Sequence, residues 1–385
     1  MCKPVFAAIL AATSIVATAS LGQTVPGTLP GEPSNPPRYI VSFKRGDPVA
    51  GVEATPALRL PFQCTTDGTL FVSFVGLVPA NSGLPPLPPG PPPMLLNSVP
   101  RSGSGRTFRL DQIPDLHVSE EIDHYAVDSG VLFLVRASRE SKPQKRAYTV
   151  GDYHGEYTTD AAEQHTYVLM FSREGEYKRA TPVADEFSIL KIGMFPSGTL
   201  LAFGYDRKDH GPRLVMLKED GTLLKSLEIP KSDAPASMVS DSNAPHPHSI
   251  AMSQMVSSDH TIIIYQTEGD YPLLEISEGG NVRAVRPLLP NGEQTESLIP
   301  ADKNIYMVAR SDRQKGNSDA IIYEVSPSDG ALIRSFKLGD GPKTPDSVAC
   351  INDGKFLSID YGNGKVVPLI GTAEPATGVK GEEAR

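Results

Sequence analysis

The polar and apolar positions of this chain repeat one short theme. A turn carrying Asp, Gly or Ser is followed at once by a run of strand-forming apolar residues. The clearest copy is Asn352-Asp353-Gly354-Lys355-Phe356-Leu357-Ser358-Ile359-Asp360. Others begin at Thr66-Asp67-Gly68, Asp128-Ser129-Gly130 and Pro196-Ser197-Gly198, with looser versions at Ser258-Asp259-His260 and Ala301-Asp302-Lys303. These six copies lie roughly 40 to 70 residues apart, the spacing of a propeller or repeat array.

The unit at 188–229 is the most complete. It has apolar runs at 188–193, 199–204, 213–217 and 222–229, with the hairpin signal Glu219-Asp220-Gly221 between the last two. Units near 250–288 and 297–338 copy it. Four antiparallel strands per unit is the pattern of a propeller blade. The sixth unit has three runs, 347–351, 356–360 and 365–370, and then ends. An early strand at 39–43 stands before the first unit and supplies the missing fourth. The expectation is an all-β, six-bladed β-propeller of four-stranded antiparallel blades over 38–371, closed by the N-terminal strand. Its strands alternate only weakly, because each blade buries its faces against its neighbours.

Two stretches interrupt the theme. Prolines crowd 79–100, and proline donates no ladder bond, so this reads as a solvated insert. Residues 136–164 are long and polar and read as a loop. Flexible Pro/Gly-rich residues fill 23–37, and 372–385 reads as a disordered polar tail.

Composition sharpens the picture. A hydrophobic fraction of 39% over 385 residues supports a sizeable core. Net charge is −9 and no basic cluster stands out, which argues against a nucleic-acid partner. Trp is absent, so any aromatic platform falls to Tyr and Phe. Residues 1–22 carry Lys3, a short apolar run and small residues, the make-up of an export signal peptide. No other run is long enough to span a membrane, so the reading is a secreted or periplasmic protein with no membrane span after cleavage.

The mature chain then keeps Cys64 and Cys350. They hold matching places in the first and last units, which a closed ring makes neighbours. A disulfide there would staple the ring; the alternative is two buried free thiols.

Residues 354–367, Gly-Lys-Phe-Leu-Ser-Ile-Asp-Tyr-Gly-Asn-Gly-Lys-Val-Val, resemble the NHL repeat, whose strand–Asp–x–x–Asn–x–Arg/Lys–apolar motif turns from the second strand of a blade to the third. Asp360, Asn363 and Lys365 fall on its polar positions. The resemblance implies a six-bladed propeller of the NHL or TolB-like type, in which Asp360 and Asn363 shape the turn.

In such propellers the loops joining one blade to the next crowd one mouth of the channel, and loops on a rigid scaffold usually carry binding. Candidate ligand-binding residues there are His246, His248, Asp241, Glu186 and Glu121. His246-Pro247-His248 puts two imidazoles on one side of an extended segment. With Asp241 they could hold a divalent cation, calcium if oxygens dominate and a transition metal if the histidines do. No hydrolase elbow, phosphate loop, Cys-x-x-Cys or zincin motif occurs. Two functions lead, ahead of a structural or envelope-assembly role that would use the proline-rich insert 79–100 as a docking arm. One is an exported binding protein for a protein, peptide or small ligand on this loop face. The other is a metal-assisted hydrolase, lactonase or lyase at the channel mouth.

Overall fold

The computed structural model describes residues 35–52, 57–75, 94–110, 113–150, 153–184, 187–230, 250, 253–258, 260–265, 273–290, 293–310, 320–339, 345, 347–362 and 365–376. Their regular structure is almost all strand. β1 (Arg38–Arg45) comes first. Then β2 (Ala57–Cys64), β3 (Leu70–Val75), β4 (Met94–Val99) and β5 (Arg106–Arg109) form one four-stranded antiparallel sheet in that order.

The second sheet holds β6 (His117–Val127), β7 (Gly130–Ser138), β10 (His165–Ser172) and β11 (Tyr177–Pro182). Between its second and third strands the chain makes a separate hairpin, β8 (Pro143–Val150) with β9 (Tyr153–Asp160). The third sheet is β12 (Phe187–Met194), β13 (Leu200–Asp206), β14 (Pro212–Leu217) and β15 (Leu223–Leu227). The fourth is β16 (Gln254–Ser258), β17 (Thr261–Tyr265), β18 (Leu273–Ser277) and β19 (Val282–Val285).

The remaining strands are β20 (Gln294–Ile299), β21 (Ile305–Arg310), β22 (Ile321–Val325), β23 (Leu332–Leu338), β24 (Cys350–Asn352), β25 (Lys355–Gly362) and β26 (Lys365–Pro375). They form one eight-stranded sheet, ordered β20-β21-β22-β23-β1-β26-β25-β24. β1 is its hinge. It runs antiparallel to β26, from Tyr39 opposite Pro375 to Arg45 opposite Leu369, and parallel to β23, from Arg38 opposite Ser335 to Val41 opposite Leu338.

The arrangement is propeller-like. The first strands of successive sheets touch in the order β24, β2, β6, β12, β16, β20. A bridge between Ala301 and Ile351 brings the last of these back to the first. Buried side chains gather between successive sheets. Phe71, Phe108, Phe133 and Phe171 fill the space between the first and second, with neighbouring ring centres 5.3 to 6.3 Å apart. Middle strands are covered on both faces, so eight of the nine residues of β7 are buried. Outer strands are not: in β15 only Leu227 is buried. Burial on both faces explains the weak alternation.

Several expectations need correcting. The strands foreseen as blades five and six are one continuous sheet, because the outer strands β23 and β1 pair instead of standing apart. The proline-rich stretch stops short of 100. Its last proline before β4 is Pro93, and Met94–Val99 is free to pair along its whole length with β3. The polar stretch 136–164 contains the β8–β9 hairpin; its Thr- and Tyr-rich sequence suits strands although it has no apolar stripe. The tail begins later than 372, since β1 gives the backbone of 371–375 a partner. Asp360 forms an ion pair with Arg45 at 3.0 Å, tying β25 to the end of β1, and Asn363 lies outside the described residues.

Candidate functional site

The recurring turn reverses the chain from the first strand of each sheet to the second. At Asn352-Asp353-Gly354-Lys355 it is a two-residue hairpin with positive φ at both Asp353 (49°) and Gly354 (66°), which Asp and Gly tolerate best. At Thr65–Thr69 the Gly68 amide donates to the Thr65 carbonyl (2.8 Å), and Asp67 Oδ1 accepts from the Thr65 hydroxyl (2.7 Å) and the Thr69 amide (3.0 Å). Phe195–Thr199 repeats the backbone pattern, with Gly198 donating to the Phe195 carbonyl at 2.9 Å.

Because first strands touch side by side, their turns meet at one end of the axis. There they enclose a cavity of about 310 Å³. Five turns contribute: Cys64 to Thr66, Ala126 to Ser129, Met194 to Pro196, Ser257 with His260 to Ile262, and Ala301 with Asp302. The sixth stands behind the wall. Its Asn352 side chain donates to the Thr66 carbonyl (2.6 Å), and the Asp353 amide donates to Asp302 Oδ2 (3.0 Å). Asp128 accepts both the Thr66 amide (2.8 Å) and the Thr66 hydroxyl (2.5 Å). One continuous hydrogen-bonded arc thus runs from Asp302 through Asp353, Asn352 and Thr66 to Asp128. The facing side mixes apolar Met194, Phe195, Pro196 and Ile262 with polar Ser257, His260 and Thr261.

Deeper along the strands, one side chain spans from β2 to β16 and others link neighbouring first strands. Gln63 on β2 donates to the Met255 carbonyl on β16 (3.1 Å), and Gln254 accepts the Leu298 amide (2.6 Å). Asp123 accepts the Ile192 amide (3.0 Å) and lies 3.3 Å from Lys191 Nζ. Tyr125 is wholly buried beside them, and burial pushes its phenol well above the usual range.

Cations stand around the cavity, not in its lining. Arg101 donates to Asn352, and Arg173 to Asp67. Burial pushes the Asp67 carboxyl up. The bonds from Thr65, Arg173 and Thr69 outweigh it and hold the group well below the ordinary carboxylate range. Cys64 lines the cavity and is joined by a disulfide to Cys350, with Cα atoms 6.1 Å apart. The bond clasps β2 of the first sheet to β24 of the last.

The cavity lies at the mouth opposite the one expected. Joining loops enter at the start of each first strand, and these turns leave at its end. Glu121 sits nearer the start of β6 and is not open to solvent. It is buried between the first two sheets, with Oε1 2.9 Å from His124 Nδ1. His246, His248, Asp241 and Glu186 lie outside the described residues. Among the described residues no three His, Cys, Asp or Glu side chains are grouped to hold a metal. Nor is any described helix long and apolar enough to cross a membrane. Sequence reasoning missed Asp128, Asp302, His260 and Phe195, which sit in the recurring turns themselves. Their signal was in view, but it read as punctuation.

No family model matches the sequence, and no curated protein does. Solved structures do resemble the fold. Virginiamycin B lyase from Staphylococcus aureus is 11% identical, with a TM-score of 0.36 over 86% of this chain and 99% of that one. A neuraminidase-like protein from A/bat/Guatemala is 12% identical, with a TM-score of 0.43 over 90% of this chain and 98% of that one. Porphyromonas gingivalis dipeptidyl peptidase 4 is 9% identical, with a TM-score of 0.37 over 82% of this chain. This chain spans about half the length of that peptidase, 48%. At such identities none of these proteins says what this chain binds.

Proposed function

We propose that the chain is an exported, six-bladed propeller that binds a small ligand in the axial cavity. The observation that carries this reading is the cavity itself: about 310 Å³, walled by turns from five different sheets, with a hydrogen-bonded polar arc on one side and a mixed, partly apolar lining on the other. Small-molecule sites have this mixture of apolar lining and a few fixed polar groups. The six-blade count is supported by the cyclic order of first-strand contacts, with the eight-stranded sheet read as two blades joined at their outer edges by β1. The NHL-like residues near 354–367 agree with that count. The signal-like residues 1–22 support export. A Cys64–Cys350 disulfide suits an oxidising compartment.

The test is ligand-observed NMR with an amphipathic fragment panel on the purified mature chain and on Ser129→Trp. Ser129 is an exposed turn residue, and Trp there blocks the mouth. Fragments should bind the parent and be lost from the variant at unchanged melting temperature. A panel whose binding ignores the blockade would refute the site.

A further inference from the structure

We propose that the cavity takes an organic cation: an ammonium group carried on a small apolar body. This rests on the cavity being a ligand site and adds the chemistry of its occupant.

Among the described residues the ionisable side chains of the lining are Asp128, Asp302 and His260, with no Lys or Arg. Asp128 and Asp302 place two carboxylates on the wall. The carboxylates sit at the two ends of the hydrogen-bonded arc. Asp128 is fixed there by Thr66, and Asp302 by the Asp353 amide. Such bonds hold a carboxylate in place. A site pre-set this way need not reorganise to meet a positive charge.

The opposite wall serves the rest of the ligand. Met194, Phe195, Pro196 and Ile262 contribute the apolar part of the lining, backed by the buried core behind them. Its volume lies at the small end of ligand pockets, the range for a single ring or short chain. A carboxylate or phosphate ligand would meet two like charges and no cation in the lining. The whole-chain charge of −9 works in the same direction by steering cations inward.

Three matched probes test this: benzylammonium, benzyl alcohol and benzoate, titrated into the mature chain by calorimetry or NMR. The three share a ring and differ in charge. Benzylammonium should bind about tenfold or more tightly than benzyl alcohol, as expected for a hydrogen bond to an ionised partner. Benzoate should be weakest. Raising the salt should weaken the ammonium and spare the alcohol. Asp302→Asn keeps an oxygen for the Asp353 amide and removes one charge. It should erase most of the ammonium preference while leaving benzyl alcohol unchanged. Equal binding of all three probes, tighter benzoate, or a preference that survives both Asp302→Asn and Asp128→Asn would overturn the cation while leaving the ligand site standing. If none of the three binds and Ser129→Trp displaces no fragment of the wider panel, the ligand site itself falls.

Discussion

Removing the clasp between Cys64 and Cys350 should rank among the costlier small changes in this chain. The bond joins residues 286 apart in sequence, so in the unfolded chain it closes a very long loop. The chain-entropy relation puts the loss for a loop of that length at about 5–6 kcal/mol at 25 °C, and measured values for native disulfides more often fall at about 2–5 kcal/mol. In the folded state both residues already sit in the core between β2 and β24, Cys350 without exposure. Replacing them with alanine therefore leaves a small cavity in an otherwise formed seam. The assay is urea unfolding of the parent and of Cys64→Ala/Cys350→Ala, followed by circular dichroism. The variant should unfold at lower urea, with a steeper dependence because its unfolded state exposes more surface. A thiol reductant should bring the parent to the variant's midpoint and leave the variant where it is. Equal midpoints in the parent, the reduced parent and the variant would show that the clasp contributes nothing and that the seam is held by packing alone.

Other outcomes follow from single contacts. Gly204→Ala should disrupt the third sheet, since a Cβ there would lie 2.0 Å from the Ser188 carbonyl oxygen; lower soluble yield and early melting are the readouts. Phe108→Ala removes the ring shared by Phe71, Phe133 and Phe171 and should cost about 3–5 kcal/mol in the same urea assay. Asp67 is held ionised in the fold, so its contribution should be complete above its unfolded pKa of about 4 and fade as pH falls toward its lower folded value. Urea midpoints of the parent and Asp67→Asn should thus differ at neutral pH and converge in acid. Arg334→Ala removes one partner of the buried Glu324 carboxylate and leaves it the Asn304 amide; with Arg334 itself partly exposed, the cost at neutral pH should be about 1–3 kcal/mol.

Much of the fold was legible because its signal is local. A turn such as Asp353-Gly354 accepts positive φ, and the run after it, Phe356 to Ile359, can only be a strand buried on both faces. The role of β1 was legible for a different reason: the sixth unit lacked a strand and residues 39–43 had no unit. Other features have no local signature. Nothing in Arg38 to Val41 tells that this strand also pairs in parallel with β23, since that depends on where two outer edges meet. β4 was hidden by the prolines before it. β8 and β9 were hidden because neither face carries an apolar stripe. The site was harder still. Asp128 and Asp302 are 174 residues apart, and only the closing of the ring puts their turns on one axis.

The place of β1 has a consequence for how the molecule is made. Arg38–Arg45 is made long before either of its partners, β23 (Leu332–Leu338) and β26 (Lys365–Pro375). At about 5–20 residues per second the wait is some tens of seconds. During that time this segment lacks both of its native neighbours, and the sheet closes only once β26 is made. A sheet of this design cannot lock shut before β26 has been made.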